Sequence, residues 1–316
     1  MDITQSNLDI VFRAVDTRYQ TAFDQAPNHS DKLAFTLPAK GRKITFATLD
    51  RFPRLKKWVG NRTVNSVYTH SRDVTIELFE DTVGLDKFDM KDDQFGIFNQ
   101  SITMLGEQAK KWTDDLIFNY ILNEASVTNG YDGVPCYSTA HPINGGGVTT
   151  GFGTGNQSNL FTSKALTYDN YASVRAAMQS WVGVDGHPLA VTPTALVVGP
   201  NLEGTARQIL MGDFLPSTAG TAPQTNIWKG TAELIVIPEL AAYPNNWWLL
   251  DLSKPIKPYA LHLADAPSIV SLTSPTDSNV FMSHTFLYGV EARGAATESV
   301  WFLSAAATSE AAYIHA

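Results

Sequence analysis

Seven apolar residues between Phe98 and Tyr120 constrain this chain more than any other feature. Phe98, Ile102, Leu105, Ala109, Trp112, Leu116 and Tyr120 recur in steps of four, three, four, three, four and four, the face of a helix with 3.6 residues per turn. The other face carries Glu107, Lys110, Lys111, Asp114 and Asp115, whose i,i+4 pairs add a few tenths of a kcal/mol each. The spacing predicts a helix over 98–123, about 37 Å long at 1.5 Å per residue. The average helix has only about 11–12 residues. A single apolar stripe of that length must lie along something equally long, so this helix is expected to be the spine of the fold.

Charge is the second constraint. Between Lys40 and Arg62 there are eight bases (Lys40, Arg42, Lys43, Arg51, Arg54, Lys56, Lys57 and Arg62) and one acid, Asp50. The segment is therefore +7 and, against a whole-chain net charge of −8, leaves −15 on the rest. A basic arm on an acidic body suits head-to-tail packing of identical copies, each arm on its neighbour's body. A solvated loop is the simpler reading of the same charges, and a nucleic-acid patch is a third. The third lacks the interleaved aromatics of a stacking groove, and the acidic body would repel phosphate.

At 316 residues the chain can build one large or two ordinary domains, and 44% hydrophobic with 17% charged residues describes a globular protein. No run of eighteen apolar residues is present, so no membrane-spanning helix is expected. The opening MDITQSNLDI lacks the basic-then-apolar order of a secretory signal, which points to synthesis inside the cell. Cys136 is the sole cysteine, excluding an intrachain disulfide and any cysteine-based zinc cluster.

Along the chain, Leu8, Val11, Phe12 and Val15 suit a short helix ahead of a polar tail from Gln25 to Lys32. From Leu33 to about Met90 the pattern is strand-like, with Val74, Ile76 and Leu78 alternating with Thr75, Glu77 and Phe79. The tip FPRLKKWVGNR interrupts it with a proline and a glycine. An extended two-stranded projection fits, but it could not bury Trp58 by itself, and an exposed aromatic on a projection implies a partner. Asp86 and Asp89 resemble a helix start, followed by the Asp92–Gly96 junction into the spine. Residues 129–159 form a long Gly, Ser, Thr and Asn-rich loop. A second helix is expected from Tyr168, capped by Thr167, and a third with Leu202, Ala206, Ile209 and Leu210 inward. Strands are expected at 195–198, 234–237, 247–250, 280–288 and 299–303. Helices and strands mix without a βαβ rhythm, so the class is α+β.

The search for catalytic motifs is negative. GxSxG, HExxH, GxxxxGK[ST] and an EF-hand loop are all absent. Gly151-Phe152-Gly153-Thr154-Gly155 lacks the preceding strand and following helix that a phosphate cradle needs. Cys136 and His141 are five apart in a loop, but a thiol nucleophile also needs an oriented base. The seven histidines are scattered and share no metal-ligand spacing. No catalytic, cofactor or metal site is expected, and the chain is not expected to be an enzyme.

Several stretches together resemble the Mu-like phage major head subunit (gpT) family, whose members have a Hong Kong 97-type capsid fold. They are Arg51–Arg62, Phe79–Val83 through Asp92–Ile97, Tyr131-Asp132-Gly133 with His141-Pro142, Asn246–Asp251, and Tyr288–Ala295. Their order and spacing carry the resemblance jointly. It implies an N-terminal arm (1–35), an extended β-hairpin loop (36–85), and a peripheral domain (86–181) built on the spine helix. An axial domain (182–290) would follow, with a return to the peripheral domain (291–316).

On this reading the protein is the major capsid protein of a tailed bacteriophage or prophage. It would self-assemble into hexamers and pentamers of an icosahedral shell around double-stranded DNA, which it meets nonspecifically. Portal, scaffold or protease, and decoration proteins would be further partners. It would be made in the host cytoplasm and reside in the virion. Arg51, Arg54, Lys56, Lys57, Trp58 and Arg62 at the loop tip are the expected inter-subunit contacts. An encapsulin-type compartment shell is the alternative within the same fold, and a hydrolase using Cys136 or His141 the distant one.

Overall fold

The computed structural model describes residues 5–49, 69–86, 97–142, 155–183, 187–214, 225–274 and 276–311. Its helices are α1 (Gln5–Gln25), α2 (Ser30–Leu33), α3 (Ile97–Asn119), α4 (Tyr168–Ser180), α5 (Glu203–Met211) and α6 (Ser278–Ser283). The strands are β1 (Ala34–Pro38), β2 (Lys43–Leu49), β3 (Thr69–Thr75), β4 (Glu77–Asp86), β5 (His141–Pro142), β6 (Asn156–Gln157), β7 (Leu160–Phe161), β8 (Ala195–Val198), β9 (Glu233–Val236), β10 (Asn246–Leu250), β11 (Tyr259–Leu272), β12 (Thr285–Glu298) and β13 (Ser304–Thr308).

The expected spine is α3, prolonged by a π-helical turn at Tyr120–Glu124. Its first half buries one stripe, Ile102, Leu105 and Ala109. Past Leu116 the buried arc widens to take in Ile117, Phe118, Ile121 and Leu122, leaving Asn119 and Asn123 exposed, because this end enters the centre of the molecule. One residue assigned to the polar face is misread: Asp114 is buried, and its carboxylate accepts the backbone N–H groups of His29 and Ser30 at 2.7–3.0 Å. It thus satisfies donors at the start of α2 that the helix itself leaves unpaired. Burial raises the Asp114 pKa, and the two N–H groups pull it back.

Helix α1 is longer than the apolar spacing suggested and lies along α3 in the same direction. Tyr19 meets Gly106, the Phe23 ring sits 5.2 Å under the Lys110 ammonium, and His29 reaches Asp114. The approach is close enough that a Cβ on Gly106 would stand 2.7 Å from the Tyr19 carbonyl oxygen.

Two sheets complete the frame. The four-stranded sheet runs β1-β11-β12-β4, and the five-stranded one β7-β13-β10-β8-β9. In the five-stranded sheet successive residues point into different cores. Val197, Trp248 and Leu250 pack with the end of α3, while Leu196, Val198, Trp247 and Leu249 pack with α4 and α5. The long β11–β12 ribbon spans two cores: Tyr259 and Leu261 lie in the first, and Phe286, Tyr288 and Val290 join α1 and the first half of α3 in a third. Strand β11 falls within residues 182–290 yet belongs to the sheet of β1 and β4, whereas β13, within 291–316, belongs to the five-stranded sheet.

Two strand expectations need correction. Residues 280–283 belong to α6, whose Val280 is buried, and the strand starts at Thr285. Trp301–Leu303 is a 3-10 turn, and pairing resumes at Ser304. At Trp301–Leu303 the apolar run turns to fill a core, whereas in α6 only Val280 points inward and Phe281 and Met282 are exposed. No helix among the described residues is long and apolar enough to cross a membrane.

Candidate inter-subunit surface

The expected two-stranded projection has its stem in β2 and β3, antiparallel from Lys43↔Thr75 to Leu49↔Thr69. The tip contacts predicted from sequence, Arg51, Arg54, Lys56, Lys57, Trp58 and Arg62, lie outside the described residues, as does the 86–96 junction beyond Asp86. One base of the charged segment is paired within the stem itself: Lys43 Nζ lies 2.7 Å from Asp73, both well exposed, so the pair contributes little.

The stem is held to the body by a buried charge. Arg72 of β3 shares parity with Val74 and Ile76, both buried, and turns inward with them. Its guanidinium donates to Glu298 at the end of β12, and the Tyr120 hydroxyl donates to the same oxygen. The Glu298 side chain is 1% exposed and that of Arg72 11%. Burial works against the Arg72 charge, but Glu298 and Tyr120 outweigh it and the guanidinium pKa is raised. Burial, then Glu298, pushes the Tyr120 hydroxyl well above its usual value. Gly130 is required here, because a Cβ would stand 2.6 Å from the other Glu298 oxygen. On the neighbouring strand Phe46 sets its ring edge-on to His262 at 5.0 Å. Burial, and then the Arg72 charge, lower the His262 pKa from 6.5 to about 4.

Beside the base of this stem a cavity of about 220 Å³ opens between α3 and the inner face of the four-stranded sheet. Its floor is apolar, with Phe79, Leu105, Trp112 and Val290; Phe79 and Trp112 meet edge to face at 5.4 Å. Glu80, Asp81 and Asp115 line it as well, and no basic residue does so among the described residues. Burial, then Glu239 and Asp114, raise the Asp115 pKa, while Lys111 opposes them. Gly294 lets the sheet approach α3 here: a Cβ on it would meet Trp112 at 3.0 Å.

Cys136 and His141 come together without forming a nucleophile and base. His141 is fully buried, stacked 4.3 Å from the Trp301 ring. Its Nδ1 is 2.6 Å from Asp132, and its Nε2 faces the Cys136 carbonyl oxygen, not the thiol, at 3.1 Å. Burial, then Glu298, push the Cys136 thiol well up. Asn159 completes the arrangement, donating to the Cys136 carbonyl at 2.7 Å and accepting from the Ser138 N–H at 3.0 Å. Asn159 also donates to the Ser304 carbonyl at 3.2 Å, and its backbone carbonyl accepts the Ala306 N–H at 2.9 Å, which stitches the loop to β13. No cluster of three or more metal-ligating side chains occurs among the described residues.

Sequence reasoning missed Arg72, Tyr120 and Glu298 as a unit. The parity of Arg72 with Val74 and Ile76 was a usable signal. Glu298 offered none, since at the end of β12 Thr297, Glu298 and Ser299 are all buried and alternation carries no information.

A family model described as the Mu-like prophage major head subunit gpT matches residues 8–164, 146–240 and 241–313. The major capsid protein of Escherichia phage Mu is 22% identical over 306 residues, covering 97% of this chain and 75% of that protein. The Mu-like prophage FluMu major head subunit of Haemophilus influenzae is 21% identical over 300 residues, covering 95% of this chain and 72% of that one. Among solved structures, the procapsid of bacteriophage JBD30 superposes with a TM-score of 0.60 at 21% identity, over 97% of this chain and 76% of that one. The spine, the two sheets and the projecting hairpin stem are therefore the parts of a Hong Kong 97-type fold.

Proposed function

We propose, from the premise that this chain belongs to the Mu-like prophage major head subunit gpT family and is a major capsid protein of a tailed phage or prophage, that its copies close into hexamers and pentamers of an icosahedral shell around double-stranded DNA. The observation that carries the proposal is the split of charge: +7 on residues 40–62 and −15 elsewhere, with the stem below the basic tip clamped by Arg72 and Glu298. A charged finger on a fixed stem can bridge copies, because its direction is set before contact and little is lost in ordering it.

In this scheme α1, α3 and the four-stranded sheet make the peripheral unit, and the five-stranded sheet with α4 and α5 the axial one. The subunit works by contact and carries out no reaction. The buried Cys136 thiol and the Asp132–His141 pair hold the loop in place. Portal, scaffold or protease, and decoration proteins are the further partners, and the subunit is made in the host cytoplasm before it enters the virion. The acidic body leaves packaged DNA only weakly and nonspecifically held.

The test is electron microscopy of the purified full-length chain with Arg54→Glu, Lys56→Glu and Lys57→Glu combined. The parent should give closed particles, and the triple variant should stay folded by circular dichroism without forming them. Normal particles from the triple variant would refute the role of the finger. Cargo enzyme in place of DNA inside the parent's particles would favour a compartment shell.

A further inference from the structure

Asp81 and Asp115 stand at opposite ends of the cavity between α3 and the inner face of the four-stranded sheet. Neither forms an ion pair among the described residues, and no basic residue lines the cavity among them. Its volume of about 220 Å³ exceeds the roughly 150 Å³ that admits a benzene molecule in a protein interior.

Strand register fixes the two ends. Phe79 and Trp112, whose rings meet at 5.4 Å, make the middle of the floor. Asp81, one strand repeat on, is paired across β12 with Val290, which packs with Leu105 and Ala109 toward the start of α3. Asp115 lies three residues beyond Trp112 in the other direction. From the level of Ala109 to Asp115 the helix rises about 9 Å. Glu80 leaves the sheet on its far face, opposite Glu291, because side chains alternate along the strand.

The floor between the two carboxylates is carbon. A bare divalent ion is a poor match, since it needs six or more oxygen ligands. A chain of methylenes with a cation at each end satisfies both acids and covers the floor. At the Asp115 end negative charge is in excess: burial, then Glu239 and Asp114, disfavour the ionised carboxylate, and Lys111 offsets them only in part. An ammonium group there removes that conflict, and the Trp112 ring attracts it further.

We propose that this cavity binds a linear aliphatic polyamine, with one ammonium group at Asp81, another at Asp115 and the methylenes along Leu105, Trp112 and Val290. The site is built within one chain and does not depend on the shell reading.

Calorimetry on the purified, unassembled full-length chain tests the site, with spermidine as the probe. One saturable site per chain is expected. Butylamine, with one charge, and magnesium, with no apolar body, should each bind at least about tenfold more weakly. Asp81→Asn and Asp115→Asn should each weaken spermidine binding about tenfold, with both variants folded by circular dichroism. Glu80→Gln removes the same charge from the far face of the same strand, where it is exposed and screened, and should change the affinity by less than about twofold. Equal losses from Glu80→Gln and Asp81→Asn would reduce the binding to the general pull of an acidic surface and overturn the site. Loss at only one of the two aspartates would overturn the two-ended seating. Magnesium binding as tightly as spermidine, or no saturable binding to the folded parent, would overturn the proposal outright.

Discussion

Replacing Arg72 with Met tests the anchoring of the stem most directly. Met keeps the apolar stem of the side chain and removes the guanidinium with its charge. Glu298 is 1% exposed, and after the change its carboxylate retains only the Tyr120 hydroxyl. An uncompensated buried charge of this kind costs about 3–5 kcal/mol, a large part of the roughly 5–15 kcal/mol that holds a protein folded. Arg72→Met combined with Glu298→Leu removes both charges and leaves the Tyr120 hydroxyl without its acceptor, at about 1–3 kcal/mol. The double variant should therefore be more stable than the single one by roughly 2 kcal/mol, the difference between these two costs. Urea unfolding of the unassembled subunit measures this, and hydrogen exchange over residues 43–49 and 69–75 should quicken in Arg72→Met. A loss below about 1 kcal/mol, the range of exposed pairs, would refute the argument, as would a double variant weaker than the single.

Gly106→Ala places a Cβ 2.7 Å from the Tyr19 carbonyl oxygen and 3.0 Å from the Ala22 side chain; it should cost about 1–3 kcal/mol and expose α1 to proteolysis before α3. Asp115 has a raised folded pKa, so its ionisation works against the fold as pH rises through that value. Asp115→Asn should stabilise the unassembled subunit at pH 7 in thermal melts, and the gain should vanish in acid below the ordinary carboxylate value of 3.8. His262 has the opposite linkage: with a pKa lowered from 6.5 to about 4, its contribution is present above 6.5 and lost as pH falls toward 4. His262→Gln should flatten that part of the stability profile, and nuclear magnetic resonance should show the imidazole titrating near pH 4.

The spine was legible because seven apolar residues keep one period over six turns, and no local rival fits them. Helix α4 was legible too, down to its cap, where Thr167 accepts the Asn170 N–H at 3.2 Å. Strand β11 was not, although it is 14 residues long. Pro267 and the irregular pairing between Leu263 and Ser268 interrupt its alternation at the middle. The hairpin stem showed in the alternation around Val74, but its anchor did not, since Arg72, Tyr120 and Glu298 lie in three separate segments. Asp114 was misread because its i,i+4 spacing from Lys110 fits a solvated face, and only the position of α2 reveals the other partner. The acidic cavity was equally hidden: its carboxylates come from β4 and α3, and nothing local joins them.

The five-stranded sheet turns Trp248 toward the cluster at the end of α3 and Trp247 toward the one beneath α4 and α5. Two adjacent residues of β10 thus tie both layers to one short strand, and a slip of its register by a single residue would exchange the two indoles and disturb both layers at once.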